Sequence, residues 1–445
     1  MNGGMTVVPS SANPENKDRR FALVGALAIG GAALLIGCLA LGDGSGALNA
    51  SLRGVSVWWE VLFPALFPFF VLSELLLGFG IVHFMGTLLD PFMRPLFRLP
   101  GVGGFIVSMG FVSGYPVGAR LTSRLMDQKL VSRDEGERLV AMTTTSDPIF
   151  LIGAVCIGFF GNPHAAPVLA AAHYSGALLI GIASRFGKRG SDTIDISAVT
   201  VHRRSTKPGR WRTALSAMHR ARLEDGRPLG ILLQQSLQSS LALMMIVGGL
   251  VVFFSAALDL LVHGGLLTPV RQLAAQLLPV FGLAPQLSEA YMHGAFEVTL
   301  GAKAAAADSA IPLVDRIAVA AFVLSWAGLS VHAQVAGLMS SSGWRYWPFA
   351  RTRLIHGLLA MLLVYAFWPL LYRGDAGEAA SWPSIVPAWA SAGSETVGLR
   401  FGWEAALVWS PVLFACAIGL IVVLGTAAIG IRRIWSKLAS DSGKD

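Results

Sequence analysis

Eight apolar stretches of about 20 residues or more run through this 445-residue chain, near 21–41, 57–80, 139–160, 165–186, 230–261, 311–339, 353–372 and 405–430. A segment of that kind can satisfy its backbone polar groups in hydrocarbon only as a helix, so the pattern predicts an all-α polytopic membrane protein. Composition agrees: 54% of residues are hydrophobic and 13% charged, too few to coat a soluble domain of this size. Two further apolar pieces, 101–119 and 286–303, are short and Gly-rich. They read as re-entrant hairpins or discontinuous helices, which a membrane tolerates only where protein or a water-filled cavity satisfies the freed backbone.

The polar segments give the domain plan and the orientation. Residues 1–20 form a tail ending in Lys17-Asp18-Arg19-Arg20, followed by a flanking span at 21–41 whose length favours a retained helix over a signal peptide. A first repeat occupies 50–186, a basic linker 187–229, a second repeat 230–372, an external loop 373–404, a second flanking span 405–430 and a tail 431–445. Lysine and arginine concentrate in the N-terminal tail, in 185–229 with eleven of them, in the Arg345–Arg353 loop and at Arg432-Arg433. These segments are expected on the cytoplasmic side, and the 373–404 loop, with two basic and four acidic residues, outside. That assignment makes the span at 57–80 run opposite to 230–261, and 139–160 opposite to 311–339, so the repeats are inverted. A weakly helical stretch around Trp211 to Leu223 relieves a linker that otherwise reads as a mobile connector, with contact to anionic lipid as the alternative.

The repeat is also visible in the residues. Tyr115-Pro116-Val117-Gly118-Ala119-Arg120 returns as Val298-Thr299-Leu300-Gly301-Ala302-Lys303, 183 residues later. Thr145-Ser146-Asp147-Pro148 aligns with Leu329-Ser330-Val331-His332 at an offset of 184, and His173 with His356 at 183. Paired, broken apolar segments in equivalent places are the sequence sign of a transporter whose site lies between its halves. In the first copy Ser113, Gly114, Tyr115, Pro116 and Gly118 end one helix and start another, exposing N–H groups that attract an anion; close helix packing is the plainer reading of the glycines. Thr144, Thr145, Ser146 and Asp147 interrupt the 139–160 span with polar groups at mid-depth, and Thr299, Gly301, Ser330, His332 and Gln334 do so in the second copy. Hydroxyls bonding back to helix carbonyls would explain one or two of these residues.

Two cations and three carboxylates complete the inventory. Arg120 and Lys303 either neutralise an anion near the midplane or snorkel to the headgroups. Glu74 and Glu297 are candidates for a coupling proton or ion, or for salt partners of those cations, while Asp259 reads as interfacial. His173 and His356 are expected to face neighbouring helices. The three cysteines sit singly in apolar runs and read as buried small residues. No phosphate-cradling loop, nucleophile elbow or metal-ligand spacing is present, so neither an enzyme nor a cofactor or metal is expected. The net charge of +8 lies in short loops without an aromatic-studded basic domain, which argues against nucleic acid.

Several strings resemble a known family. Phe63-Pro64-Ala65-Leu66-Phe67-Pro68-Phe69-Phe70, Ser73-Glu74-Leu75-Leu76, Pro91-Phe92-Met93-Arg94-Pro95-Leu96-Phe97, Pro100-Gly101-Val102-Gly103-Gly104-Phe105 and Gly114-Tyr115-Pro116 with Gly118-Ala119 are similar to the YlbJ sporulation integral membrane proteins. So are Glu137-Arg138-Leu139, Gly153-Ala154-Val155, His173-Tyr174 and Gly328-Leu329-Ser330-Val331-His332-Ala333-Gln334-Val335. The likeness covers roughly residues 50–372. It implies paired Gate (nucleoside-recognition) domains and similarity to SpoVV, which is implicated in moving dipicolinic acid across the outer forespore membrane. Thr144-Thr145-Ser146-Asp147-Pro148 departs from the Asn-Thr-Ser-Asn-Pro-like run expected there, placing a carboxylate where an anion would sit.

The expectation is therefore a secondary-type carrier of a small carboxylate, dipicolinic acid by the resemblance, in the bacterial cell membrane and specifically the mother-cell-derived outer forespore membrane. Its two inverted repeats would comprise about eight full spans plus two hairpins. Its partners would be a small anion, membrane lipids, a second copy of the chain, and a separate forespore inner-membrane uptake system that receives the substrate. A nucleoside or nucleobase symporter, and a non-transporting scaffold for spore-envelope assembly docking through 187–229, are the rival expectations.

Overall fold

The structure is a computed structural model describing residues 30–186 and 210–372, together with Leu27, Gly419, Val422 and Thr426. The 373–404 loop, both tails and nearly all of the 405–430 span lie outside the described residues, as does 187–209. The described residues are helical, without a strand among them, and form an all-α integral membrane protein. Four helices are long and apolar enough to cross a membrane alone: Pro163–Ser184, Leu229–His263, Leu313–Ser342 and Tyr346–Leu371. Two bent pairs, Gly30–Gly42 with Gly44–Glu60 at 110° and Leu66–Gly78 with Ile81–Phe97 at 81°, raise that to six if each pair is one span.

The chain begins with α1 (Gly30–Gly42) and α2 (Gly44–Val57), which continues through a π turn at Trp58–Leu62 into α3 (Phe63–Gly78). The widened turn sits just before Pro64, which has no N–H to close an α-helical bond. Gly80, at φ +76°, then turns the chain into α4 (Ile81–Phe97). After these come the hairpin α5 (Val102–Ser113) and α6 (Tyr115–Asp127), the broken span α7 (Arg133–Thr143) and α8 (Ile149–Phe159, π-wound), and the complete span α9 (Ala166–Ser184). In the linker, α10 (Arg210–Asp225) occupies the stretch that reads as weakly helical in sequence. It packs on α4, with Trp211 5.7 Å from Phe84.

The second half repeats this order. The long α11 (Leu229–His263) and short α12 (Thr268–Leu277) lead to the hairpin α13 (Ser288–Phe296) and α14 (Val298–Ala306), the broken pair α15 (Leu313–Trp326) and α16 (Gly328–Met339), and the complete span α17 (Tyr346–Leu371). Each hairpin is clamped by small residues: Gly110 and Gly118 both lie against Thr143 of α7, while Gly294 and Gly301 press on each other and on Val323 of α15. A Cβ at any of these four positions would collide with those neighbours, so glycine sets how deeply each hairpin enters. The halves then interlock, since α6 packs on α16, and α8 on α14.

Two elements differ from the reading of the sequence. The apolar run 139–160 is not one helix, because Thr144–Pro148 separates α7 from α8. Residues 81–97 form a continuous helix despite Pro91 and Pro95, its far end held by Asp90, which accepts from Gly101 N at 3.0 Å and pairs with Arg94 at 2.7 Å.

Candidate functional site

Each half breaks its helices twice, and the four breaks lie together. Gly114 takes φ +82° and ψ −175°, a conformation open essentially to glycine alone, and ends α5. Its α-carbon faces Asp147: a Cβ there would stand 3.2 Å from Asp147 Oδ2. In the second half Glu297 is extended between α13 and α14. The second span breaks at Ala327 and Gly328, both left-handed, and Gly328 sits against Phe296 O and Glu297 N. Hairpin tip thus meets span break in both halves.

Cross-links between the halves run through this centre. Tyr115 Oη donates to Leu324 O at 2.9 Å. Ser146 N donates to His173 Nε2 at 3.0 Å, which leaves Nδ1–H of the neutral ring to donate to Ser325 Oγ at 2.8 Å. Tyr174 Oη donates to Ser146 O at 2.9 Å. His356 Nε2 donates to His173 O at 2.8 Å, and its Nδ1 accepts from Arg353 Nη2 at 2.8 Å. Arg353 also donates through Nη1 to Ala141 O at 3.2 Å and through Nη2 to Ser325 O. Ala141 and Ser325 are 184 residues apart and occupy the last turns of α7 and α15. One guanidinium therefore caps the C-terminal ends of both broken spans, where the backbone dipoles favour a cation. Arg353 is fully buried and forms no ion pair among the described residues.

The helix starts at the centre are not alike. Asp147 accepts from Phe150 N at 2.9 Å at the start of α8. Glu297 accepts from Leu300 N at 2.8 Å and from Thr299 Oγ1 at 3.2 Å at the start of α14. Those N–H groups are satisfied by the protein's own carboxylates. The starts of α6 and α16 carry no side-chain cap, and beside the former Ser113 Oγ and Ser146 Oγ are fully buried without a hydrogen-bond partner. Buried hydroxyls are nearly always paired, so two orphans near an uncapped helix start mark a place for a polar ligand or water.

Ser113, Gly114, Tyr115, Thr145, Ser146, Asp147 and Glu297 thus belong to one buried region. Pro116 occupies the first turn of α6, and Gly118 serves packing. Thr144 Oγ1 donates back to Val140 O at 2.6 Å, and Thr145 Oγ1 to Gly110 O at 3.4 Å. Gln334 donates to Ser330 Oγ at 3.4 Å, both buried in α16. His332 is held between Tyr346 Oη at 2.9 Å and Trp326 O at 3.1 Å, its ring 4.3 Å from that of Trp326.

The two cations singled out from sequence sit elsewhere. Arg120 Nε lies 3.0 Å from Glu74 Oε1, Glu74 Oε2 lies 2.6 Å from Arg124, and Arg120 Nη1 donates to Ser239 O at 3.2 Å. Glu74 and Arg120 are therefore salt partners that tie α3 to α6 and α11. Lys303 lies in the last turn of α14 with an exposed side chain. Asp259 pairs with Arg53 at 2.5 Å. Arg353 was hidden in sequence because a charge at the edge of an apolar run reads as a loop residue; α17 in fact starts at Tyr346 and carries it inward. The available signal was His356 at i+3, itself the repeat mate of His173. No group of three or more His, Cys, Asp or Glu side chains among the described residues is arranged to hold a metal ion.

Comparison with known proteins fits this architecture. Residues 59–163, which contain the first hairpin and the first broken span, match the Gate family, described as nucleoside recognition. An uncharacterised protein of Alkalihalophilus pseudofirmus is 33% identical over 112 residues, 24% of either chain. No solved structure matches. The sporulation integral membrane protein YlbJ of Bacillus subtilis is 42% identical over 328 residues, spanning 73% of this chain and 78% of that one, and the chain belongs to the YlbJ family of sporulation integral membrane proteins.

Proposed function

We propose that the protein is a secondary-type transporter of a small carboxylate, dipicolinic acid (pyridine-2,6-dicarboxylate), acting in sporulation by alternating access between two inverted repeats. The observation that carries the reading is the convergence of four helix breaks, two from each half, on one buried polar centre. Broken helices are costly in a membrane unless their freed backbone groups serve a bound solute. A carboxylate would dock on the uncapped N–H groups at the start of α6, with Ser113 and Ser146 donating and Tyr115 against the ring. Arg353 takes the place of Arg120 and Lys303 as the source of positive potential. Asp147 and Glu297 would carry coupling protons. The family name and the Gate match support a sporulation setting, with the outer forespore membrane as the site of action and flux toward the forespore.

A nucleoside or nucleobase symporter is the second reading. The nucleoside-recognition description favours it, and so does the charge balance. With both carboxylates ionised and both histidines neutral, one guanidinium against two carboxylates leaves the centre at net −1. That arrangement suits one coupling cation and a neutral solute.

Purified protein in liposomes, offered labelled dipicolinate with and without an inward proton gradient, separates the two. Saturable uptake, stimulated by the gradient and resistant to uridine, supports the carboxylate reading. Uptake of labelled uridine without uptake of dipicolinate overturns it.

A further inference from the structure

The two ends of the centre are closed by different chemistry. Arg98 donates to Arg185 O at 2.9 Å and Arg138 to Ser184 Oγ at 3.1 Å, so the ends of α4 and α9 and the start of α7 share one face. On that basic face the α16–α17 turn meets α7. The Ser340–Ser342 turn and left-handed Gly343, at φ +66°, bring Arg345 over α7. Its Nε lies 3.0 Å from Glu137 Oε1, its Nη2 2.7 Å from Glu137 Oε2 and 2.8 Å from Asp134 Oδ1, and its backbone N donates to Glu137 Oε1 at 2.9 Å. Glu137 also faces Arg133 Nε at 3.4 Å. The Glu137 side chain is 7% exposed, whereas that of Arg345 is 55% exposed. Beside the pair lies a cleft of about 370 Å³ between the halves, lined by Lys129, Ser132, Arg133, Ser341 and Ser342.

At the repeat-equivalent place on the other face, 183 residues earlier, Arg345 is replaced by Asn162 and Glu137 by an alanine counterpart, Ala320. Asn162 Nδ2 donates to Tyr372 Oη at 3.2 Å, and Arg316, the mate of Arg133, lies over the Phe160 ring at 5.8 Å. Neutral and cation–π contacts close this side, where the basic face has a forked, charge-assisted clasp on a nearly buried carboxylate.

We propose that Arg345, Glu137 and Asp134 form a latch that joins the two halves on the basic face and opens whenever the buried centre is exposed to that side. The inference rests on the transporter reading. A guanidinium fork on one half gripping a desolvated carboxylate on the other is strong while closed, and both groups gain full hydration when the turn swings away. That makes the latch a two-state contact, and the adjacent cleft marks the seam along which it parts.

The test needs no substrate. In full-length protein with its three cysteines replaced, Ser146→Cys provides a buried reporter at the centre, and a membrane-impermeant maleimide is applied from the basic face. Arg345→Ala should raise the labelling rate at least about tenfold, the factor expected when a closed state loses a contact of about 1.4 kcal/mol. Arg345→Lys should stay near the parent, and Asn162→Ala should leave labelling from this face unchanged. Labelling of Arg345→Ala at the parent rate overturns the latch. Should Arg345→Ala not fold, Glu137→Gln gives the same reading, with the parent rate again the refuting result. Because labelling is scored without transport, a failed dipicolinate assay alongside increased labelling would reject the substrate and keep the latch.

Discussion

Replacing Arg353 with methionine, a side chain of similar reach and no charge, isolates the role of the buried guanidinium. The change leaves three acceptors without donors: Ala141 O, Ser325 O and His356 Nδ1. At about 1–3 kcal/mol for each buried unsatisfied group, the loss sums to roughly 3–9 kcal/mol. Against this, the parent protein bears the desolvation of a guanidinium that has no carboxylate partner among the described residues, a cost of several kcal/mol that methionine removes. The dipoles of α7 and α15 return up to about 2 kcal/mol each to the cation. The balance is a net loss of about 2–4 kcal/mol. Lysine should lie between, since an ammonium can reach one helix end but cannot fork to both. Thermal unfolding followed by fluorescence-detected size exclusion should put Arg353→Met about 5–15 °C below the parent. A methionine variant melting within about 2 °C of the parent would refute the claim that one cation holds both broken spans.

Gly114→Ala places a Cβ 3.2 Å from Asp147 Oδ2 on a backbone at φ +82°, so it should cost about 1–3 kcal/mol, and the same melting assay reads it. Glu74→Gln leaves Arg120 and Arg124 facing a neutral amide; a loss of about 3–5 kcal/mol is expected, and the additional change Arg120→Gln should recover part of it in a double-mutant cycle. Lys303→Ala should shift stability by no more than about 0.5 kcal/mol and leave uptake at the parent rate, because that side chain is exposed beyond the centre. Glu297→Ala should cost about 1 kcal/mol through the lost helix cap, whereas Glu297→Gln should keep the cap and alter the dependence of uptake on the proton gradient.

The helical class and both hairpins could be read from the chain because apolar length and glycine placement act locally. Gly114 announces its break by having no side chain to obstruct a left-handed turn, and Asp147-Pro148 announces the second by disfavouring helix before the proline. What stayed hidden depends on packing between distant segments. Arg120 and Lys303 share a motif position, yet one faces Glu74 across a helix contact and the other faces outward, a distinction set by neighbours more than 40 residues away in the first case. Arg353 reads as a loop cation because sequence does not reveal that two helix ends and an imidazole await it. The span at 139–160 reads as continuous because its polar break is only five residues long, Thr144 to Pro148, and hydropathy averages over it.

The departures from perfect repetition explain how a symmetric scaffold acquires one site. Each half contributes one carboxylate at a helix start, but at different breaks: Asp147 at the span break of the first half, Glu297 at the hairpin tip of the second. Repeat mates of these positions hold no acid, since Gly114 stands opposite Glu297, and Ser330 and Val331 stand near the place of Asp147. Two helix starts are therefore filled from within, while the starts of α6 and α16 stay without a side-chain cap. Had both tips carried acids, all the anion-attracting starts of one kind would be closed; had neither, four unpaired helix starts would face a dry interior at several kcal/mol each. Asymmetry also reaches the faces, where Arg345 grips Glu137 on one side and Asn162 touches only Tyr372 on the other. Exchange between two conformations is available to any scaffold of repeated halves, but a ligand can be oriented, and one face favoured over the other, only by the positions at which the repeat is broken.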